Sequence, residues 1–198
     1  MSKVIANASM SIDGFIAGPN ESGFEHLFEW YSAGDVELPL NLPGMTFKTS
    51  AASAEYFSRM VEETGVLVVG RKLWDSTKAW GGRHPMDRTV VVVTHTVPEG
   101  WAQESDDFVF VTEGIEAAIA KAREIAGDRN IGVNGGTIAR QCVDAGLLDE
   151  IGVDLVPVLL GAGTPFFEQL GTAPVLLDGP LEVIAGERVT HLRYAVRR

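Results

Sequence analysis

Short runs of apolar, mostly β-branched residues constrain the fold of this chain more than any other feature of its sequence. They read "GVLVVG" (65–70), "TVVVVTH" (89–95) and "FVFV" (108–111). A strand that is buried on both faces is apolar throughout, whereas a strand with one wet face alternates between apolar and polar residues. The runs therefore predict strands in the interior of a mostly parallel sheet.

Strand-like and helical segments alternate along the rest of the chain. Further strand-like runs are "KVIANAS" (3–9), "NIGV" (130–133) and "EIGVDLVPV" (150–158), and residues 181–197 read as two strands joined at Gly186-Glu187. Apolar residues at helical spacing predict helices over 50–65, over 112–127 with Thr112 as its cap and Gly127 at its end, and over 137–146. This order indicates an α/β fold that ends in an antiparallel hairpin.

Length and charge narrow the classes of function. The 198 residues suit one domain, 1–198, in which the aromatic and acidic region 18–49 forms an irregular excursion over one end of the sheet. A net charge of -11 argues against binding to nucleic acid or to anionic membranes, since both need a basic surface. The single cysteine, Cys142, excludes an intrachain disulfide, and no stretch resembles a signal peptide or a membrane-spanning helix. We expect a cytoplasmic protein.

Three strand ends carry residues that suit a phosphate-bearing ligand. They are Gly70, Arg71 and Lys72 after the first run, Thr94, His95 and Thr96 at the second, and Gly135 and Gly136 before the helix over 137–146. In open α/β sheets ligands bind at the carboxyl ends of the strands, so these residues line one crevice if the strands are neighbours. A glycine turn at a helix N-terminus suits a pyrophosphate, and cations with hydroxyls suit a further phosphate. The joint pattern predicts a dinucleotide with a 2′-phosphate.

Each of these features has a simpler explanation when taken alone. Two glycines before a helix also form a tight turn, Arg71-Lys72 also suits a solvated helix start, and residues 94–96 also suit a plain strand exit. Other catalytic patterns are missing from the sequence, namely the P-loop and the G-x-S-x-G turn. The histidines, at positions 26, 84, 95 and 191, lack metal-ligand spacing, so we expect no metal site.

Five stretches follow the order of a known family over nearly the whole chain. They are "ASMSIDGFIAG", "VVGRKLWD", "VVVVTHTVP", "VNGGTIARQCVDAGLLDEI" and "PVLLGAGTPFF". In them the chain resembles the dihydrofolate reductase-like superfamily, and within it the reductase-domain family named after the C-terminal half of the bifunctional riboflavin biosynthesis deaminase-reductase. The resemblance implies a central eight-stranded, mixed, mostly parallel sheet flanked by helices, with NADPH as the cofactor and a homodimer as the assembly.

The resemblance also implies roles for single residues. The cofactor-binding candidates are Gly70, Arg71, Lys72, Leu73, Thr94, His95, Thr96, Gly135, Gly136, Thr137 and Ile138. The stretch "SIDGFIAG" resembles the loop that covers the nicotinamide and the substrate, which makes Asp13 and Gly14 candidates, together with Asn7 on the strand before it. Asp13 is either the catalytic proton donor or a turn residue that bonds the backbone before Gly14.

The sequence gives less information about the substrate than about the cofactor. Region 18–49 and the helix after it supply Trp30 and Phe57 as substrate-binding candidates, with Tyr31, Phe47 and Tyr56 nearby, and core packing is the alternative for all of them. Folate reductases carry a pterin-binding carboxylate on the helix before "VVGRK". Counting back places that position at Ser53 or Ala54, beside Glu55 on another helix face. The deaminase zinc signature, H-x-E with P-C-x-x-C, is absent from the sequence.

These observations predict an NADPH-dependent oxidoreductase that reduces a small heterocyclic or carbonyl substrate. The alternative is an NADP(H)-binding protein without turnover, which acts as a sensor or an interaction module. An enclosed second pocket against the nicotinamide would distinguish the enzyme from the binding protein.

Overall fold

The computed structural model describes residues 2–41, 44 and 46–197, and these residues form strands and helices in alternation. The strands are β1 (Val4–Ser11), β2 (Phe15–Ala17), β3 (Val36–Glu37), β4 (Lys48–Thr49), β5 (Thr64–Gly70), β6 (Val90–Val93), β7 (Phe108–Val111), β8 (Asn130–Asn134), β9 (Glu150–Val156), β10 (Thr164–Pro165), β11 (Leu177–Gly186) and β12 (Val189–Val196). The α-helices are α1 (Phe24–Leu27), α2 (Ala51–Glu63), α3 (Arg71–Ser76), α4 (Ile115–Ala126) and α5 (Thr137–Asp144). Two 3-10 helices span Glu29–Ser32 and Lys78–Gly82.

The main sheet has eight strands in the order β11-β12-β9-β1-β8-β5-β6-β7. The strands from β9 to β7 are parallel to one another, and β12 pairs antiparallel with both β9 and β11. The predicted mixed, mostly parallel sheet with a C-terminal antiparallel hairpin is therefore confirmed.

The apolar runs are buried on both faces, as their composition predicts. On β6, Val91 belongs to the core beneath α4 and α5, whereas Val90 and Val92 belong to the core on the opposite face, with Trp74 of α3. A third cluster lies between α2 and the β9–β12 side of the sheet, and it contains Trp30 and Phe57. Helices thus cover both faces of the sheet and leave its carboxyl edge as the place for a crevice.

Two local predictions differ from the structure. The helix predicted from Thr112 begins at Ile115 after Gly114, whose φ of 97° suits glycine, and no side chain caps this helix. The prediction was wrong because Gly114 breaks the helical backbone inside the predicted span. The hairpin turn lies one residue later than predicted, at Glu187 and Arg188, and Arg188 takes the left-handed conformation with a φ of 61°.

The elements described within region 18–49 are short, and β3 and β4 pair there at Val36 and Glu37. Its Trp30 donates from Nε1 to Ser9 Oγ of β1 over 3.0 Å. The region is thus attached to the α2 face of the sheet.

Candidate functional site

The three strand ends singled out in the sequence meet at one edge of the sheet. Strands β8, β5 and β6 are consecutive neighbours and run in parallel. In their registers Gly70 lies opposite Val93, and Val68 lies opposite Val133. The residues that follow Gly70, Val93 and Asn134 are therefore next to each other, which is the condition that the predicted crevice required.

Arg71 joins the ends of β5 and β6. Its Nη1 donates to the Thr96 carbonyl oxygen over 3.3 Å, and its Nε lies 2.9 Å from both carboxylate oxygens of Asp75. The guanidinium also sits over the Trp74 ring, 5.6 Å from its centre. These contacts hold a partly exposed cation at the crevice, where an anionic ligand could share it.

Lys72 and Leu73 have different surroundings. Lys72 is largely exposed and pairs through Nζ with Glu21 of region 18–49 over 2.6 Å. Leu73 packs partly buried against the core around Trp74. Lys72 is accordingly an exposed charge near the end of β5, whereas the Leu73 side chain belongs to the core beneath it.

The residues after β6 form a short hydroxyl-rich turn. The buried Thr94 hydroxyl donates to the Thr96 carbonyl oxygen over 2.9 Å, and the Thr94 amide donates to Val111. His95 and Thr96 are exposed. Thr94 therefore shapes the turn, and the following two residues are the ones that a ligand can reach.

The glycine turn after β8 opens helix α5. Gly136 has a φ of 76°, and its amide donates to the Phe166 carbonyl oxygen over 2.7 Å. The Thr137 hydroxyl donates to Glu168 over 3.2 Å, and the Ile138 side chain is buried in the core. The first amides of a helix have no acceptor within the helix, so this end of α5 presents donors to an anion.

Gly135 lies against side chains of β1 and β2 at this turn. A Cβ built on Gly135 would lie 3.0 Å from Cδ1 of Ile16 and 3.6 Å from Cβ of Ala8, and no backbone atom is among its nearest neighbours. A side chain at position 135 would therefore press on Ile16 and Ala8. This glycine cradle, the helix terminus and the cation at Arg71 fit a phosphate-bearing dinucleotide.

Asp13 is tied into a turn. Its carboxylate accepts from Ser11 Oγ over 2.6 Å, from the Leu160 amide over 3.1 Å and from the Gly161 amide over 2.7 Å. These hydrogen bonds, that from Ser11 above all, lower the pKa of Asp13. A carboxylate that is held ionised is a poor proton donor, so the contacts favour the turn role over the catalytic one.

The substrate-binding candidates lie on the α2 face of the sheet. Trp30 is fully buried, and Phe57 is 4% exposed in the same cluster, which favours core packing for both. Asn7 is different because its Nδ2 faces Met60 of α2 and Asp154, while its buried Oδ1 has no hydrogen-bond partner among the described residues. Of the three, Asn7 keeps the strongest case for contact with a ligand.

Sequence reasoning missed a buried polar group next to Asn7. His191 Nδ1 lies 2.7 Å from Asp154 Oδ1, and His191 Nε2 lies 2.9 Å from Ser53 Oγ. Ser53 and His191 are fully buried, and Asp154 is 4% exposed. The one available signal was Asp154 itself, an acid inside the otherwise apolar stretch "GVDLVPV".

A comparison with known proteins identifies the family. The family model described as the RibD C-terminal domain matches residues 2–182. The chain belongs to the RibD C-terminal domain family. The resemblance seen in the sequence is confirmed.

Several relatives of this RibD C-terminal domain chain have curated sequences or solved structures. The uncharacterized protein YwjB of Bacillus subtilis (strain 168) is 24% identical over 170 residues, which cover 85% of this chain and 84% of the relative. A Shewanella sp. PV-4 crystal structure, of a protein whose proposed role is riboflavin biosynthesis, has a TM-score of 0.71 at 22% identity and covers 99% of both chains. RibD of Acinetobacter baumannii has a TM-score of 0.64 at 14% identity, and the match covers all of this chain but 58% of that one.

The RibD C-terminal domain chain also shares its fold with dihydrofolate reductase. The Enterococcus faecalis enzyme, complexed with NADP(H) and RAB-propyl, has a TM-score of 0.58 at 14% identity, with 99% of this chain and 97% of that chain covered. At such identities the likeness establishes the fold alone. The predicted dihydrofolate reductase-like fold is thereby confirmed.

Two further observations concern the described part of this family member. In the described part of the chain, none of the helices has the length and apolar character needed to cross a lipid bilayer. The same residues contain no group of three or more histidine, cysteine, aspartate or glutamate side chains placed to hold a metal ion.

A groove of this RibD C-terminal domain chain lies at the opposite edge of the sheet. It has a volume of about 480 Å³ and is lined by Lys3, Arg59, Glu63, Asn130, Glu150, Leu181, Glu182 and Arg193. Its charges pair with one another, since Lys3 and Arg193 both contact Glu150 over 2.5 Å. This groove is at the amino ends of β1, β8 and β9, where ligands of open α/β sheets do not usually bind.

Proposed function

We propose that the chain is an NADPH-dependent oxidoreductase that reduces a small heterocyclic or carbonyl substrate. The observation that carries the proposal is the meeting of the β5, β6 and β8 ends at one edge, with Arg71 bonded across to Thr96. The RibD C-terminal domain match and the dihydrofolate reductase fold support a reductase-type protein.

The roles follow from the order of the strand ends. Arg71, with exposed His95 and Thr96, would hold the 2′-phosphate, and Lys72 would add charge at the rim. Gly135 and the amides that begin α5 would hold the pyrophosphate. The cofactor supplies the hydride when bound, while the chain orients it and excludes water.

Anionic side chains already contact the candidate groups. Asp75 pairs with Arg71, Glu21 pairs with Lys72, and Glu168 accepts from Thr137. These acids are all at least 40% exposed, so the two ion pairs and the hydrogen bond are weak and a phosphate can replace them.

The proposal is tested by binding and by turnover together. Fluorescence titration measures NADPH affinity, and loss of the reduced-nicotinamide absorbance measures turnover with a panel of carbonyl and pterin-like compounds. Tight NADPH binding with turnover of any panel compound supports the enzyme. NADPH binding without turnover across the panel favours the alternative, a sensor or interaction module, and a lack of NADPH binding rejects both.

Cofactor choice gives the first specific prediction. We expect NADPH to bind on the order of 100-fold more tightly than NADH, because two charge-assisted hydrogen bonds of about 1.5–3 kcal/mol each depend on the 2′-phosphate. Arg71→Ala should remove most of this preference and leave NADH affinity nearly unchanged. Titration of both cofactors against both proteins measures the effect.

Arg83→Ala is the matched control. Arg83 is also exposed and pairs with an acid four residues later, Asp87, but it lies outside the crevice. Its removal should leave both affinities unchanged. Equal affinities of the wild-type protein for NADPH and NADH would remove the 2′-phosphate role of Arg71.

The family resemblance also predicts a homodimer. Light scattering at micromolar concentration should give about twice the mass of the 21.3 kDa chain. A mass equal to one chain would contradict this assembly without affecting the cofactor site.

A further inference from the structure

The buried group formed by Ser53, His191 and Asp154 has no part in the proposed cofactor contacts. We call these three residues the relay. Buried polar groups cost free energy, and a well-packed apolar trio of similar volume is often at least as stable. Stability of the fold therefore does not explain the relay, and its position relative to the crevice is informative.

The relay contacts Asn7 through Asp154. Asp154 Oδ2 accepts from Asn7 Nδ2 over 3.4 Å, while Asp154 Oδ1 is bonded to His191. Across the strand pair, Gly152 lies opposite Asn7, and a Cβ on Gly152 would sit 2.5 Å from Asn7 Oδ1. Two features thus set the orientation of the Asn7 amide, a carboxylate that holds Nδ2 and a missing side chain that leaves space for Oδ1.

The direction of the cofactor places Asn7 at its nicotinamide end. The proposed 2′-phosphate contacts are at β5 and β6, and the pyrophosphate contacts are at the end of β8. The next strand in the sheet is β1, where Asn7 lies opposite Asn134, the residue before Gly135. A dinucleotide laid across these strand ends in this order reaches β1 last.

We propose that the relay is a positioning device that holds the Asn7 side chain in the orientation required by the nicotinamide half of the cofactor. Ser53 holds His191, His191 holds Asp154, and Asp154 holds Asn7. The inference rests on the proposed function and deepens it, because it assigns the buried residues of the α2 face to one end of the cofactor site.

A hydrolase role for the same three residues is excluded because a substrate cannot reach the Ser53 hydroxyl. A serine, a histidine and an aspartate in this order resemble a catalytic triad. However, Ser53 is fully buried, and its Oγ also lies 3.1 Å from Ser50 Oγ. His191 is enclosed as well, with Tyr56 stacked at 4.2 Å and Trp30 edge-on at 5.2 Å between ring centres.

The test compares two ligands that differ at the nicotinamide end. NADPH carries the nicotinamide, and adenosine 2′,5′-bisphosphate carries the 2′-phosphate end without it. Asp154→Asn should weaken NADPH binding about tenfold, as expected when one oriented hydrogen bond is lost, and leave adenosine bisphosphate binding unchanged. Arg71→Ala should weaken both.

Gly152→Ala provides a second variant that does not alter the relay. Its methyl group would displace the Asn7 amide, so NADPH binding should fall again while adenosine bisphosphate binding does not. In an Asn7→Ala background neither Asp154→Asn nor Gly152→Ala should have a further effect, because both act through Asn7.

Thr89→Val is the control for general damage. It removes the hydrogen bond that the Thr89 hydroxyl donates to the Asp106 carbonyl oxygen at the amino end of β6, and strands β8 and β5 separate β6 from β1. It should leave both affinities unchanged in protein that circular dichroism shows to be folded.

Three results would overturn the positioning role. The first is an equal loss of affinity for both ligands in Asp154→Asn, and the second is wild-type NADPH affinity in Gly152→Ala. The third is a further loss of NADPH affinity when either substitution is added to Asn7→Ala. If the wild-type protein binds neither ligand, both the proposed function and the positioning role of the relay are wrong. If the wild-type protein binds both and the variants show one of the three results, only the positioning role is wrong.

Discussion

Gly135→Val should abolish NADPH binding while the protein stays folded. The Cβ would meet the flexible end of Ile16 at 3.0 Å, which can move by a few tenths of an ångström, and Gly135 does not have a positive φ. The valine methyl groups extend beyond this Cβ and would displace the Ile16 side chain at the turn where the pyrophosphate is proposed to bind. Loss of two charge-assisted hydrogen bonds of about 1.5–3 kcal/mol each weakens binding by at least about 100-fold. Fluorescence titration and circular dichroism measure the two quantities.

Two other glycines complete this experiment. Gly171→Val is the control, because Gly171 lies at the far end of α5, next to Asp144, where a Cβ would make ordinary contacts at 3.4 Å or more. Gly136 is unsuitable because its φ of 76° makes any side chain strained, so a loss of binding there could come from misfolding. Normal NADPH binding by Gly135→Val would mean that the two glycines serve the turn alone.

Dihydrofolate should not be a substrate, even though the chain has a dihydrofolate reductase-like fold. A pterin needs a buried carboxylate for its amidine-like edge, and at the expected position on α2 the chain has Ser53 and Ala54. Ser53 is bonded to His191, and Glu55 is exposed on another face of the helix. Loss of a charge-paired hydrogen bond in a closed pocket costs about 2–5 kcal/mol, or roughly 30-fold to several-thousand-fold in affinity. We expect negligible turnover and weak binding of antifolate inhibitors.

The assay is the loss of NADPH absorbance with dihydrofolate as the sole substrate. The Enterococcus faecalis dihydrofolate reductase serves as the positive control, and unchanged NADPH affinity shows that the tested protein is intact. Turnover of about 1–10³ per second, typical of an enzyme on its own substrate, would contradict the prediction. It would mean that another acid reaches the pterin, such as Glu55, Glu25, Glu29, Asp35 or the buried Asp154.

The sequence predicted the parts of the structure that depend on local pattern. Strand interiors such as "VVVV" are apolar because both of their faces are buried, so burial can be inferred from composition alone. The strand-end residues were recognisable because glycines, cations and hydroxyls follow each apolar run directly. Whether those strands are neighbours is a property of the sheet order, and no local pattern records it.

The relay shows why the rest could not be predicted. Ser53, Asp154 and His191 lie on a helix and on two strands that are far apart along the chain, and each has an unremarkable local context. Their meeting depends on β12 pairing with β9 and on α2 packing over both. The prediction of Thr112 as a helix cap was wrong for a local reason. Two residues later Gly114 departs from the helical backbone conformation, so α4 begins at Ile115.

The position of β1 between β8 and β9 has a consequence for how the chain folds. On β1, Val4 lies opposite Ile131 and Ile5 lies opposite Glu150, whereas β6 pairs at Val90 with Leu67 and Phe108, its near neighbours in sequence. Closing the long loops costs more entropy, so we expect β5, β6 and β7 to form before β1 inserts. The part of the site proposed for the 2′-phosphate would then be built early and the Asn7 part late. Pulse-labelling hydrogen exchange during refolding should show amides of β6 and β7 protected before those of β1, and simultaneous protection would contradict this order.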